Sequence, residues 1–471
     1  MRPDTKSRAV LGESELDTLD QQIHGEVLHP GTDEYDASRT IWNAMIDRYP
    51  AVVLRPTGAA DVMTVVRVAR EHDLPLSVKG NGHNVAGNAI CDSGITVDLS
   101  GMDAVRVDPR NRTVRVGPGA TLRDVDHETQ AFGLATPLGF VSETGIAGLT
   151  LGGGFGYLSR KYGMTVDNLR SVDLVTADGE LVHASEDENR ELFWGIRGGG
   201  GNFGIVTSFE FELHEVDPEI LAGLIFYPAS DAHRVLRGWR DVVADIPDEL
   251  TVWVITLTAP PAPFIPEEYH GETVVAVLPV FFGELAHGDV VLEPLFELGD
   301  PLGDNVERRS YAAWQQFFDE ANASGLRNYW KSLNFAELSD EAIDTCLDYG
   351  LTLPTPETKF AIAHLGGAIT RVDADATAYP HRDMEFLVNM QARWDDPARD
   401  DECIAWAREG HRALLDHSTD GTYMNFISEE TGEEEFAYRE NYDRLVELKR
   451  QYDPENRFRL NQNVKPVSGR E

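Results

Sequence analysis

Apolar residues first recur at helical spacing after Asp61, where Val62, Val65, Val66 and Ala69 fall on one face. Short apolar runs follow. "LPLSV" predicts a strand running into "VKGNGHNVAG", and "GITVDLS" predicts another. Valines alternate on both sides of an Asp-Pro turn in "AVRVDPRNRTVRV", the pattern of a hairpin. "TLRDVDHETQAFG" reads as a helix stopped at Gly133, and "SVDLVTADGELVHA" as a hairpin turning at Asp178-Gly179. An alternating strand closes "ELFWGIRGGGGNFGIVTSFEFEL". Glycine punctuates the chain up to Val216, whereas residues 1–35 show little periodicity and read as an acidic extension.

Beyond Val216 the texture changes. "ILAGLIFYP", "AHRVLRGWRDVVADI" and "LTVWVITLTA" predict strand, helix and strand, and the proline-rich "PPAPFIPEEY" is a loop before the strand "TVVAVLPVFF". Residues 217–420 read as a second domain, a sheet with covering helices. Tyr438, Tyr442, Leu445, Leu448 and Tyr452 mark one face of a last helix. A chain of 471 residues is expected to hold more than one core.

Charge narrows the function classes. Lys+Arg 41 against Asp+Glu 80 gives a net charge of −39, and only seven of the basic residues are lysine. Such acidity repels nucleic acid and anionic membrane surfaces. It also strains the compact state in dilute buffer, a strain that molar salt screens, so the chain reads as a protein of a salt-accumulating, halophilic cytoplasm. No apolar run is long enough for a membrane helix, and the first residues show no export signal. Cys91, Cys346 and Cys403 form neither a metal pattern nor a disulfide framework, which fits a reducing compartment; no metal site is expected.

The candidate chemistry lies in glycine. "GGGFG" and "GGGGNFG" suggest a nicotinamide Rossmann site, but neither stands in the repeating strand–helix–strand context that fingerprint needs. With "VKGNGHNVAG" they make three glycine-rich loops in one domain. That number suits backbone amides gathered around a large anionic ligand such as a flavin dinucleotide.

Four ordered segments carry a resemblance: "VKGNGHNVAGNAICDSGITVDLSGM", "TGIAGLTLGGGFGYLSRKYGMTVDNL", "ELFWGIRGGGGNFGIVTSFEFEL" and "YDPENRFRLNQNVKP". The chain resembles FAD-linked oxidases of the vanillyl-alcohol oxidase and p-cresol methylhydroxylase (PCMH) fold, in the berberine-bridge-enzyme-like and 6-hydroxy-D-nicotine-oxidase-like branch, from about Tyr35 to Pro466. The resemblance implies an α+β protein: a PCMH-type FAD domain in two pieces, 36–216 and 421–471, around a substrate domain, 217–420, with a mainly antiparallel sheet. It implies FAD bonded through His83. The second, cysteinyl link of many relatives would fall at Val141, so one link is expected. Thr144 takes the position that gates oxygen, and Phe155 replaces a tyrosine of some relatives. Around the cofactor the resemblance places Lys79, Gly80, Asn81, Gly82, Asn84 and Gly87 from the first loop, and Pro137, Gly145, Gly148, Leu151, Gly152, Gly154 and Gly156 from the second. Gly204, Ile205 and Val206 follow, with Asn461 and Asn463 from the far end of the chain. Tyr423 in "GTYMNF" is the expected proton acceptor, assisted by Lys331 of "NYWKS"; Asn425, His364 and Arg371 are further substrate-side candidates. Surface roles compete for the last two. The implied reaction oxidises an alcohol, hemiacetal or amine carbon of a small molecule, with O2 as acceptor. A flavin dehydrogenase using another acceptor, or a flavin-binding protein without turnover, are the alternatives.

Overall fold

The computed structural model describes residues 19–419, 421–428 and 434–466. The helix near Asp61 spans Ala59–Glu71 and crosses from the strand Val52–Arg55 to Leu76–Lys79; both pair in parallel with Ile95–Asp98 between them. Val52, Val53 and Leu54 are all buried, as expected of parallel strands covered on both faces. The fourth strand is Glu26–Leu28, antiparallel to Val53–Arg55. The segment read as an acidic extension thus supplies a sheet edge. Three residues are too few for alternation to show. The Asp61 carboxylate fastens this edge by accepting the N–H groups of His24 (3.0 Å) and Gly25 (3.1 Å).

Both expected hairpins form. Val105–Asp108 pairs with Thr113–Val116, and Leu169–Val175 with Leu181–Ser185. The alternating strand Ile205–Glu212 joins them into a five-stranded antiparallel sheet, burying Phe209 and Phe211 on one face.

Residues Glu219 to Trp394 build a nine-stranded sheet whose pairings are antiparallel. Its two faces do different things. Tyr329, Leu333, Phe360 and Val388 pack beneath the helices Ala232–Val243, Asp340–Gly350 and Asp400–Leu414. The opposite face carries Trp253, Ala363 and Leu387, which pack with Phe155 and Tyr423 from the glycine-rich half. Strand side chains alternate between faces, so one residue of register decides which half a side chain serves.

The last helix, Tyr442–Tyr452, buries Leu445 and Leu448 over Gly199 and Gly195. Its Lys449 is wholly buried; Nζ donates to Asp453 Oδ2 (2.7 Å), the Phe458 carbonyl (2.9 Å) and the Asn202 carbonyl (2.8 Å). Asn202, in "GGGGNFG", donates in turn to the Gln462 carbonyl (3.1 Å) and accepts the Val464 N–H (3.0 Å). A buried polar knot therefore fixes the C-terminal segment against the third glycine loop.

Candidate active site

A cleft opens between the glycine loops and the wide sheet, with about 1690 Å³ of empty space including its mouth. Gly80, Asn81, Gly82, His83 and Asn84 line one wall. Val141, Thr144, Gly145, Gly148, Leu151, Gly152 and Phe155 line a second. Gly204, Ile205 and Val206 with Asn461 form the third, and Tyr423 and Asn425 close the sheet side. Two glycines make room for asparagine side chains of the site. A Cβ on Gly145 would stand 2.4 Å from Asn81 Oδ1, and one on Gly152 would stand 2.2 Å from Asn425 Oδ1.

The cleft meets the demands of a flavin dinucleotide. Among the described residues, the main-chain N–H groups of Asn81, Gly82, His83 and Asn84 donate to no main-chain carbonyl, which leaves a row of donors for an anion. Asn81 Oδ1 and Asn461 Oδ1 are buried without a partner. Leu76, Val78 and Leu99 add apolar wall for a fused ring.

His83 sits on this wall with its ring stacked on Trp42, centroids 5.7 Å apart and planes 18° apart. Burial pulls its pKa down to about 4, opposed by Asp319 and reinforced by Arg393. The imidazole is therefore neutral at neutral pH and keeps a ring-nitrogen lone pair.

Tyr423 is buried, and its phenol oxygen accepts two hydrogen bonds, from the Gly154 N–H (3.1 Å) and from Asn425 Nδ2 (3.0 Å). Burial pushes its pKa above the ordinary tyrosine value despite those two donors. Its ring packs edge-on against Phe155, 5.0 Å away, and Phe426, 4.9 Å away.

Several expected residues stand elsewhere. Lys331 shares a sheet face with Tyr329 and Leu333, under the helices, its Nζ 6.0 Å from the Tyr329 ring. Its strand neighbours Trp330 and Ser332 face the cleft side instead, Ser332 Oγ accepting the Tyr423 N–H at 3.2 Å. The expected Lys331–Tyr423 partnership is corrected by this parity. Lys79 also points away, donating to the Ser38 carbonyl (2.5 Å) beside Asp98 (3.8 Å), because alternation gives the cleft Val78. His364 is buried against Arg160 (3.2 Å), neither in the cleft nor on the surface. Arg371 forms an exposed ion pair with Asp248 (2.5 Å). Gly87, Pro137, Gly154, Gly156 and Asn463 do not line the cleft. Gly87 instead makes room for Ile46, Gly156 for the Leu138 carbonyl, and Gly154 holds Tyr423.

A slot continues the cleft over the sheet, sharing Phe140, Phe155, Asn322 and Phe426 with it. Lys359, Ala361 and Ala363 from one strand and Asn389 and Gln391 from the next line it, with Trp253 and Tyr157. Lys359 is the basic residue that the sequence reading missed on this side. Its Nζ donates to the Ala321 carbonyl (3.4 Å), and burial, with nearby Arg393, lowers its pKa to about 8. Trp42, Trp330, Lys449 and Asn202 also went unread. No spacing motif marks them, since each acts through a partner distant in sequence.

No helix among the described residues is long and apolar enough to cross a membrane. No cluster of three metal-binding side chains occurs among them. All three cysteines are free and buried.

The FAD binding domain family matches residues 50–185, and the berberine and berberine-like family matches residues 422–465. An FAD-linked oxidoreductase of Dictyostelium discoideum is 32% identical over 452 residues, covering 95% of this chain and 96% of that protein. The crystal structure of 6-hydroxy-D-nicotine oxidase from Arthrobacter nicotinovorans superposes with a TM-score of 0.85 at 33% identity, covering 94% of this chain and 98% of that one. Glucooligosaccharide oxidase from Acremonium strictum, described with a 6-S-cysteinyl, 8α-N1-histidyl FAD, shares the fold at 24% identity and a TM-score of 0.85, with 96% and 98% coverage.

Proposed function

We propose an oxidase reaction on one established premise: this chain belongs to the FAD-linked oxidoreductase family that carries a berberine-like C-terminal element. The observation that carries the reading is the neutral, partly buried His83 among unpaired backbone donors on the cleft wall. FAD, when bound, accepts a hydride from a substrate carbon and passes the electrons to O2. Overall, an alcohol carbon, R2CH–OH, and O2 give R2C=O and H2O2; a hemiacetal or amine carbon reacts in the same sense.

The protein's residues do the rest. Asn81 to Asn84 bind the anionic part of the cofactor by main-chain N–H groups. His83 would hold the flavin covalently through its ring nitrogen, which the neutral imidazole leaves with a lone pair. Val141 supplies no second link. Thr144 leaves oxygen access open. Tyr423, held by Gly154 and Asn425, meets the hydroxyl or amine of the substrate and takes its proton, and Phe155 and Phe426 exclude water around it. The high acidity suits a salt-rich cytoplasm, and the small-molecule substrate enters from the slot.

Acid precipitation tests the tether. Wild-type protein is expected to stay yellow after precipitation, and His83→Ala to release all its flavin into the supernatant. A colourless precipitate from flavin-loaded wild type overturns the covalent link. Peroxide release with substrate, measured beside oxygen uptake, separates the oxidase from a dehydrogenase.

A further inference from the structure

We infer that the slot beside the cleft takes a compact, apolar-bodied substrate bearing a carboxylate, and that the carboxylate seats on Lys359. The inference rests on the oxidase reading and names the substrate class for that same site.

Shape gives the body. Phe140, Phe155, Tyr157 and Trp253 wall the slot, and Ala361 and Ala363 keep its floor low. Ala361 lies between Ile255 and Asn389 in the sheet register, so the floor is one short methyl flanked by larger groups. The slot is a small annex of the cleft, about 570 against 1690 Å³ of empty space with both open sides included, which favours a compact body over a long chain.

Charge gives the end group. The protein carries −39, yet neither slot nor cleft is lined by a single Asp or Glu. Lys359 is the charged side chain in the slot, and Arg393 lies two positions beyond Gln391 on the same strand face. Arg393 is spent on the carbonyls of Ala321 and Ala323. Lys359 has no carboxylate partner among the described residues, only the 3.4 Å contact to Ala321. Asn389, opposite Ala361 on the same face, is buried at 1% exposure with both amide atoms unpartnered. The Lys359 ammonium and the unpartnered Asn389 amide, two residues along the same face of the ladder, give this end of the slot donors for an acceptor-rich group. The low Lys359 pKa agrees, because an anion would restore the charge that burial and Arg393 disfavour.

The alternatives fit worse. A protonated amine would stand next to Lys359 with no counter-ion. A sugar, with a hydroxyl on nearly every carbon, would turn most of them toward aromatic walls. In turnover the carboxylate stays intact; a separate C–H and O–H or N–H of the substrate supply the two electrons and two protons that O2 takes up as H2O2.

Calorimetric titration of the flavin-loaded enzyme at neutral pH tests this with four probes: benzoate, benzamide, benzylammonium and xylobiose. Benzoate is expected to bind about tenfold or more tightly than benzamide, the scale of one charge-assisted hydrogen bond. Lys359→Met should abolish that preference and Lys359→Arg should keep it, with bound flavin reporting the fold of each variant. Benzylammonium or xylobiose binding as tightly as benzoate, or a benzoate preference that survives in Lys359→Met, overturns the proposal. Peroxide release across a broader alcohol and amine panel reads the oxidase reaction separately and stands whichever probe wins.

Discussion

The cofactor wall and the substrate slot meet at Phe155 and Phe426, which both pack against Tyr423, yet they are built in opposite ways. The wall is made largely of a continuous turn, Gly80 to Val85, with Gly200, Gly201 and Gly204 from another loop, and the main-chain donors of Asn81 to Asn84 stay free. The slot is made of alternate residues on strands running from Trp253 to Gln391, and its character lies in large side chains. A wall of backbone works with little dependence on side-chain identity, so distant relatives can keep the same cofactor. A wall of side chains changes with every substitution on one strand face. The likeness to other family members therefore speaks for FAD and says little about substrate.

The junction residue gives the largest effect. Tyr423→Phe is expected to keep its flavin and lower the rate of substrate-dependent flavin reduction about 10²–10⁴-fold, the usual share of a general base. Burial holds the wild-type phenol above its ordinary pKa, so the phenolate is scarce at neutral pH. A base is active when deprotonated, so kcat should climb as pH rises through the neutral and mildly alkaline range, and the Phe variant should lose that slope. Anaerobic stopped-flow decides it: reduction at the wild-type rate removes Tyr423 from the chemistry.

The same contrast governs what could be read in advance. Hairpins at Asp108-Pro109 and Asp178-Gly179 and the helix after Gly58 were legible because turn residues and periodicity are local signals. The lining of the cofactor wall was legible for the same reason, along one run from Gly80 to Asn84. Lys331 and Lys79 were misplaced because a motif names a residue without the pleat that aims it. Lys359 was missed because the other residues of the slot, Asn389 and Gln391 among them, come from another strand, and only the sheet register sets them on one face. Glu26–Leu28 was missed because so short a strand offers no pattern.

Two smaller effects test whether the halves depend on one another. Lys449→Met leaves Asp453 buried beside a thioether and removes the donor to the Asn202 and Phe458 carbonyls. A loss of about 3–5 kcal/mol in denaturant unfolding is expected, as for other broken buried pairs, with weaker flavin retention because the Phe458 carbonyl that also holds Asn461 loses its tie to the helix. Intact flavin binding in a destabilised variant would separate the C-terminal knot from the cleft. Salt should act on both halves together. The charge of −39 is screened as the Debye length falls from about 10 Å at 0.1 M to about 3 Å at 1 M, so Tm should rise steeply with KCl in a single transition. A flat Tm counts against a salt-adapted surface, and two transitions count against a common core.

The smallest expected effect belongs to Lys331, and it sharpens the contrast most. Lys331 pairs with Met390 across the sheet, and Met390 belongs to the core beneath the helices. Its neighbours Trp330 and Ser332 reach the Phe426 ring, 5.2 Å away, and the Tyr423 N–H. A side chain cannot serve both faces of a strand, so the ammonium of Lys331 lies a sheet's thickness from the Tyr423 phenol. Lys331→Met keeps most of the buried stem and removes the charge. The rate of flavin reduction and the pH slope set by Tyr423 should therefore stay within about twofold of wild type, well below the 10²–10⁴-fold range of a group in the reaction path. Lys359→Met, on the cleft-facing parity, should weaken substrate binding under the same assay. The two lysines thus form a matched pair that differs in strand parity. A Lys331→Met enzyme whose pH profile shifts while Lys359→Met behaves as wild type would reverse the assignment of the two sheet faces.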